Sequence, residues 1–522
     1  MRAIDYFDKA AEVYAERTAL VDGNIQYTYA QLRDATETLA RAMRASELDA
    51  EDRAAIYSLN DARVLVCMLA LMRAGGAWAP INYRNALDAN VEFMNYAETR
   101  WLFFHSCFRD EVQEICKRVP SLRHTVCIDA AGEGHPSLEE IMAQKRSEEI
   151  PDWGDPLGNP DRLVGLVPTG GTTGPAKGVR VTTTSWGMFT EMAGHYWPCE
   201  GIEPVCLSTA PLSHAAGVVS FAMFTLGTTN VVMPRFDALE VLQNIERFGV
   251  THLFLPPTAF YALLDHPRVR EFNYATLRVL LLAGSPVSPD RVRQGVEIFG
   301  PSICQCYGQT EAPMLMTWLD QKTVAAAAVG DHPERLQSCG KSTYGVRLAI
   351  MDEEGRLLSP RNVGEIVVRG PLVTQGYHNL PAATAEIRKH GWHHTGDVGY
   401  QDEHGFFYIV DRKKDMIITG GFNVFSAEVE AAIMSLPEVY ECAVIGVPDE
   451  KWGEAVKAIL VARSGKSIKE DAVLAHCKGK LGGLKSPKSV EFVAEIPKTA
   501  AGKIDRKALR APYWAGMRRA VH

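Results

Sequence analysis

The 522-residue sequence predicts an α/β protein made of a large N-terminal domain of helix-covered sheets followed by a small C-terminal one. Three observations predict it. Apolar runs of strand length, such as Val205 to Leu207, Val279 to Leu282 and Glu365 to Val368, alternate with segments of helical period, such as Ala238 to Phe248 and Pro289 to Phe299. The length is several times the commonest domain size, so more than one core is expected. Charge is also unevenly spread: residues 412–522 hold 19 Lys or Arg against 13 Asp or Glu, net +6, which leaves −14 for residues 1–411 of a chain with net charge −8. The expected boundary falls in Asp411-Arg412-Lys413-Lys414-Asp415, giving domains 1–411 and 412–522, although a charged run of this kind also suits a plain solvated loop.

From the amino terminus, Met-Arg-Ala-Ile-Asp-Tyr-Phe-Asp sets charges where a signal peptide needs its apolar core. Val218 to Met233, the most apolar long stretch, is interrupted by Ser220, Thr225 and Asn230, and it is shorter than the roughly 20 residues of a spanning helix. No transmembrane segment is expected. The acidic balance argues against a nucleic-acid partner. Eleven cysteines, odd in number and scattered from Cys67 to Cys477, indicate a reducing, cytoplasmic setting without structural zinc. Cys304 and Cys306, one residue apart, read as ordinary strand cysteines.

The most informative segment is the apolar run Leu163 to Val167 leading into Pro168-Thr169-Gly170-Gly171-Thr172-Thr173-Gly174-Pro175-Ala176-Lys177-Gly178. Glycines let successive backbone N–H groups curl around phosphate oxygens, hydroxyls add donors, and a lysine brings positive charge. The loop reads as a phosphate grip, although glycine and hydroxyl clusters also occur in surface loops. A Walker loop needs Lys directly after its last glycine and Ser or Thr after that. Lys177 lies three residues past Gly174 and precedes Gly178, which rules against a P-loop NTPase.

Other motifs flank this loop in order: Tyr27-Thr28-Tyr29-Ala30-Gln31-Leu32, Ala74-Gly75-Gly76-Ala77-Trp78-Ala79-Pro80-Ile81-Asn82, Pro211-Leu212-Ser213-His214, Ala283-Gly284-Ser285-Pro286, Tyr307-Gly308-Gln309-Thr310-Glu311, Gly391-Trp392-His393-His394-Thr395-Gly396-Asp397, Asp411 to Asp415, and Thr499-Ala500-Ala501-Gly502-Lys503. Taken singly each has an ordinary structural reading. Together the set resembles the acyl-adenylate-forming superfamily of acyl-CoA synthetases, peptide-synthetase adenylation domains and luciferases, over nearly the whole chain. Gly170 and Ala176 stand where the family loop has Ser and Pro, departures that leave the donors in place.

The resemblance implies the adenylate-forming enzyme fold, with a small mobile α+β C-terminal domain, and a two-step reaction using ATP, Mg²⁺ and CoA. By the same resemblance Thr169, Gly170, Gly171, Thr172, Thr173, Gly174 and Lys177 grip the ATP phosphates. Glu311 binds Mg²⁺, and Thr310 contacts the α-phosphate. Gly284, Ser285 and Pro286 enclose the adenine with Tyr307, Gly308 and Gln309. Asp397 suits the ribose diol, since a carboxylate accepts two hydrogen bonds, and Arg412 touches ribose or phosphate. Lys414 is the hinge, Lys503 neutralises carboxylate and α-phosphate during adenylation, and Gly420 and Gly421 line the path of the pantetheine arm. Phe422 and Ser426 depart from the Glu and Pro common there.

The resemblance also places the acyl-pocket walls in His214 to Leu226, Pro256 to Leu264 and Ile303 to Met316, which contain no Lys or Arg. A second substrate carboxylate would be buried without a partner. Phe221, Phe260 and Met314, with His214 at the mouth beside the catalytic Thr310, Glu311 and Lys503, point to an apolar monocarboxylic acid, fatty or aromatic, although such residues are also plain core. The expected activity is an AMP-forming acyl-CoA ligase. An acyl-AMP synthetase loading a carrier protein and an inactive nucleotide- or acyl-binding regulator are the alternatives, and homodimerisation stays open.

Overall fold

The computed structural model describes residues 1–132, 134–144, 159–169, 177–498 and 504–515. The chain divides into two compact units. The first gathers the described parts of Met1–Thr169, Pro175–Arg347 and Arg369–Arg388, and the second those of Leu348–Val368 and Lys389–His522.

In the first unit, six strands pair in the order His124–Cys127, Trp101–Phe104, Arg53–Tyr57, Ala77–Trp78, Leu163–Pro168 and Gly178–Thr182. All neighbours are parallel except the last pair. Parallel sheets are covered on both faces and read as continuous apolar runs. Trp101–Phe104 is buried throughout, and its alternate side chains enter two separate cores: Trp101 and Phe103 in one, Leu102 and Phe104 in the other.

Nine further strands of this unit pair in the order Gly340–Ser342, Ala312–Leu319, Ile303–Gln309, Val279–Leu282, His252–Leu255, Val205–Ser208, Thr229–Val232, Thr18–Asp22 and Ile25–Thr28. From Ile303–Gln309 to Thr18–Asp22 they are parallel. The expected helices Ala238–Phe248 and Pro289–Phe299 are present. Asp237 caps the first, accepting from the Glu240 N–H, and Gly249 ends it in the left-handed region; Pro at the first turn opens the second. Cys304 and Cys306 are buried strand residues, and burial pushes both thiols well up.

In the second unit, Arg347–Met351, Gly364–Arg369, His393–Gln401 and Phe406–Arg412 form one ladder. A turn at Lys413 to Asp415 leads to a second sheet in the order Phe422–Val424, Ile417–Thr419, Gly453–Ala462, Val439–Asp449, with Ser489–Phe492 added beside Gly453–Ala462. Helices Ser426–Met434 and Glu470–Lys485 belong to this part, whose core includes Val429, Ile433, Val444, Val456 and Val473. The mixed α/β fold, with its small C-terminal portion, is the class the sequence predicts.

Candidate active site

In a parallel α/β sheet, ligands bind beyond the carboxyl ends of the strands. Several residues singled out in the sequence follow such ends in the first unit: His214 after Val205–Ser208, Gly284 to Pro286 after Val279–Leu282, and Tyr307 to Glu311 at the end of Ile303–Gln309. Gly284, with φ +98°, and Ser285 and Pro286 are exposed there, while Tyr307, Gln309 and Thr310 are half-buried.

The return from Thr310 is tight. Gln309 pairs with Ala312 and Tyr307 with Thr317, so Pro313 to Met316 bulge opposite Gly308. A Cβ on Gly308 would lie 2.4 Å from the Met314 nitrogen, so glycine alone permits this approach. Met314 takes φ 50° in the bulge and is half-buried.

The strands flanking the phosphate-grip loop, Leu163–Pro168 and Gly178–Thr182, are antiparallel, and the Thr169 N–H donates to the Lys177 carbonyl at 2.9 Å. Gly170, Gly171, Thr172, Thr173 and Gly174 lie outside the described residues, as does Lys503. A segment the sequence reading missed, Thr374 to His378, is stapled to the outgoing strand. The Arg180 N–H donates to the Gly376 carbonyl and the His378 N–H to the Gly178 carbonyl, both at 2.8 Å, with Tyr377 bridged to Val179. This places the Lys177 Nζ 5.1 Å from the centre of the Tyr377 ring.

The Tyr377 hydroxyl donates to Glu311 Oε1 at 2.6 Å, and the Thr374 N–H donates to the Glu311 carbonyl at 2.9 Å. Burial, reinforced by the Glu311 charge, pushes the Tyr377 phenol well above its ordinary range. No local pattern marks this tyrosine; only its pairing with a strand nearly 200 residues earlier brings it to the site.

Among the described residues, no group of three His, Cys, Asp or Glu side chains gathers to hold a metal. Glu311 is a single carboxylate with one oxygen engaged by Tyr377. Such a donor set fits a hard ion that completes its shell with phosphate oxygens and water, as Mg²⁺ does, rather than a protein-only cage.

His214 follows a turn fixed by Asn60, whose amide donates to the Ala210 and Met233 carbonyls and accepts from the Leu212 N–H. A Cβ on Gly217 would lie 2.0 Å from the Leu212 carbonyl oxygen, which makes the helix Ala215–Phe224 hug this turn. His214 Nδ1 sits 3.0 Å from Ser213 Oγ, and burial brings its pKa down to about 4, so the imidazole is neutral near pH 7. A void of about 180 Å³ beside this helix is lined by Cys206, Ser208, Ala216, Val219 and Phe254 among others. Phe221 is fully buried edge-on to Trp186, and Phe260 is fully buried beside Phe299. A larger cavity of about 390 Å³, lined by His195, Tyr196, Trp318 and Lys341 among others, contains none of the expected site residues.

In the second unit, Asp397 and Arg412 are cross-strand partners. Asp397 is buried, and Glu365 braces the strand that carries it by accepting from the Gly396 N–H at 3.0 Å. Lys414 lies half-buried in the turn between the two sheets, where desolvation and then the Arg412 charge lower its pKa. The neighbouring Asp415 is held by Arg510 at 2.8 Å. Gly420 and Gly421 take φ 57° and 81°, and the Gly420 N–H donates to the Trp452 carbonyl. Phe422 is 60% exposed at this hairpin.

This assembly of residues finds its match in known proteins. Residues 7–378 match the model of the AMP-binding enzyme family, and residues 428–503 that of the AMP-binding enzyme C-terminal domain. The chain belongs to this family, the acyl-adenylate-forming superfamily. It is 36% identical to a medium/long-chain-fatty-acid–CoA ligase of Mycobacterium tuberculosis over 98% of this chain and 90% of that protein. It is 34% identical to a feruloyl-CoA synthase of an Amycolatopsis species, covering 97% and 98%. Among solved structures, ATP-bound MatB from Rhodopseudomonas palustris superposes with TM-score 0.87 at 30% identity, over 98% of this chain and 99% of that one. The amide bond synthetase McbA from Marinactinospora thermotolerans gives TM-score 0.87 at 28% identity, over 98% and 99%. No helix among the described residues is long and apolar enough to cross a membrane.

Proposed function

We propose that this chain activates an apolar monocarboxylic acid, a medium- or long-chain fatty acid or an aromatic acid, as acyl-AMP with release of pyrophosphate, and then passes the acyl group to the thiol of CoA. The coarser statement rests on family membership and its acyl-CoA ligase relatives: the chain is an AMP-forming acid–thiol ligase. What supports the proposal is the gathering of His214, Gly284, Tyr307 and Glu311 at one carboxyl edge, with Lys177 and Glu311 brought to the two sides of Tyr377.

Attack of a carboxylate on a phosphate sets anion against anion, so positive charge must be concentrated at the phosphates. In this reading Lys177, Thr169 and the Gly170 to Gly174 loop hold them, Thr310 orients the α-phosphate, and Lys503 neutralises the attacking carboxylate. Bound Mg²⁺ would offset phosphate charge, and Glu311 is the residue that would hold it. Gly284 to Pro286 and Tyr307 would clasp the adenine, and Asp397 and Arg412 the ribose. Lys414 would act as hinge between domains 1–411 and 412–522, reorienting the small domain so that Gly420 and Gly421 admit the thiol.

The apolar-acid assignment draws on the absence of Lys and Arg from the three wall windows and on the void beside Ala216 and Val219. It also draws on relatives named for medium/long-chain fatty acids and for ferulate. Met314 and His214 would face the substrate, with Phe221 and Phe260 as the walls behind. The test is a panel of graded fatty and aromatic acids with ATP and Mg²⁺, following AMP with and without CoA. CoA-accelerated AMP formation is expected. Acid-dependent pyrophosphate release that CoA leaves unchanged would assign another acceptor, and comparable turnover of malonate and octanoate would overturn the apolar pocket.

A further inference from the structure

Lys177 and Glu311 carry opposite charges within reach of one side chain, yet among the described residues no ion pair joins them. Tyr377 lies between: its hydroxyl is 2.6 Å from Glu311 Oε1, and its ring faces the Lys177 ammonium at 5.1 Å. The tyrosine is itself fixed. Its N–H donates to Thr384 Oγ1 at 3.0 Å, its neighbours Gly376 and His378 are bonded to the strand that follows Lys177, and the Thr374 N–H grips the Glu311 backbone. One short segment therefore controls both charged groups.

We propose that Tyr377 is a positioning residue that keeps the phosphate lysine and the metal carboxylate apart, holding Glu311 by one oxygen so that the other stays open to Mg²⁺, and resting Lys177 on its ring ready for phosphate. The proposal rests on the reading of Lys177 and Glu311 given above. A direct Lys177 to Glu311 ion pair would occupy both groups, and each would have to be separated before Mg·ATP could bind. The hydroxyl and the ring have separable duties. Tyr377→Phe removes the bond to Glu311 but keeps the lysine's resting face; Tyr377→Leu removes both.

Calorimetric titration of Mg·ATP, and of ATP with the metal chelated, into the full-length wild type, Tyr377→Phe, Tyr377→Leu and Glu311→Gln separates these duties. Tyr377→Phe is expected to lose about tenfold in Mg·ATP affinity, the size of a lost hydrogen bond to a charged group. It should keep its metal-free ATP affinity within about twofold, with an unchanged melting temperature and an unchanged KM for the acid. Tyr377→Leu is expected to weaken both forms of ATP. If Tyr377→Phe binds Mg·ATP as tightly as wild type while Glu311→Gln does not, the positioning role is wrong and the reading of Glu311 stands. Equal loss of both forms by Tyr377→Phe would make the effect merely structural and would also overturn the proposal. A wild type that binds Mg·ATP no better than metal-free ATP would remove the metal role of Glu311, and the proposal with it.

Discussion

Asp397 and Arg412 face each other across paired antiparallel strands, with Arg412 Nε 3.3 Å from Asp397 Oδ1. The aspartate is buried and the arginine side chain is 46% exposed, so the pair presents an oriented carboxylate with a solvent-reaching guanidinium beside it. An ion pair this exposed on one side contributes little to stability, about 0–1 kcal/mol. Its value lies in fixing Asp397 as a bidentate acceptor.

Arg412→Ala is therefore expected to leave the melting temperature within about 2 °C while raising the KM for ATP several-fold. Asp397→Asn should raise it at least tenfold, because an amide cannot accept a diol with both its polar atoms. Steady-state kinetics at saturating acid and CoA, beside a thermal melt, check both.

Gly308→Ala would drive a Cβ to 2.4 Å from the Met314 nitrogen, a backbone atom that cannot step aside cheaply. Loss of about 2–3 kcal/mol is expected, read by denaturant unfolding. Met314→Gly, which relieves the left-handed φ of 50°, should soften that loss in the double variant.

The buried His214 titrates near pH 4, below the ordinary value of 6.5. A histidine with a depressed folded pKa is stabilising while neutral: the unfolded chain takes up a proton first, so stability falls as pH drops from about 6.5 toward 4. After allowance for its partial exposure, His214→Gln should remove about 2 kcal/mol of that acid-side loss. Urea unfolding at pH 7 and pH 4.5 reads it. His252, lowered to about 4 by burial in the same way, remains and provides the residual slope.

Glu430 is buried and receives Arg506 Nη2 at 2.6 Å, together with the Val444 N–H. Burial raises its pKa, against the opposing pull of Arg506. Glu430→Ala would strand a buried guanidinium and is expected to cost about 3 kcal/mol, seen as a lowered melting temperature. Glu430→Gln should lose less, since its amide oxygen still accepts.

Much of the scaffold was legible where local chemistry carries the signal. Ala238–Phe248 has an apolar stripe between an Asp cap and a terminal Gly, and the bounds of Pro289–Phe299 follow from Pro at its start. The site motifs were legible because glycine, hydroxyl and charged residues cluster at strand ends. Tyr377 was not, since the hydrogen bonds that define its role join residues far apart in the chain. The Thr28 motif also changed meaning: its hydroxyl accepts from the Gln31 N–H in a capping box that opens the helix Tyr29–Ala45. Thr28 therefore has a purely local task.

The central claim, that an apolar acid ends on the thiol of CoA, is tested most directly by mass spectrometry of the products formed from ATP, Mg²⁺, CoA and either octanoate or ferulate. The account predicts acyl-CoA and AMP in equal amounts from at least one of these acids, with malonate yielding far less of either. Acyl-AMP accumulating without thioester, or malonyl-CoA forming as readily as the apolar products, would contradict it.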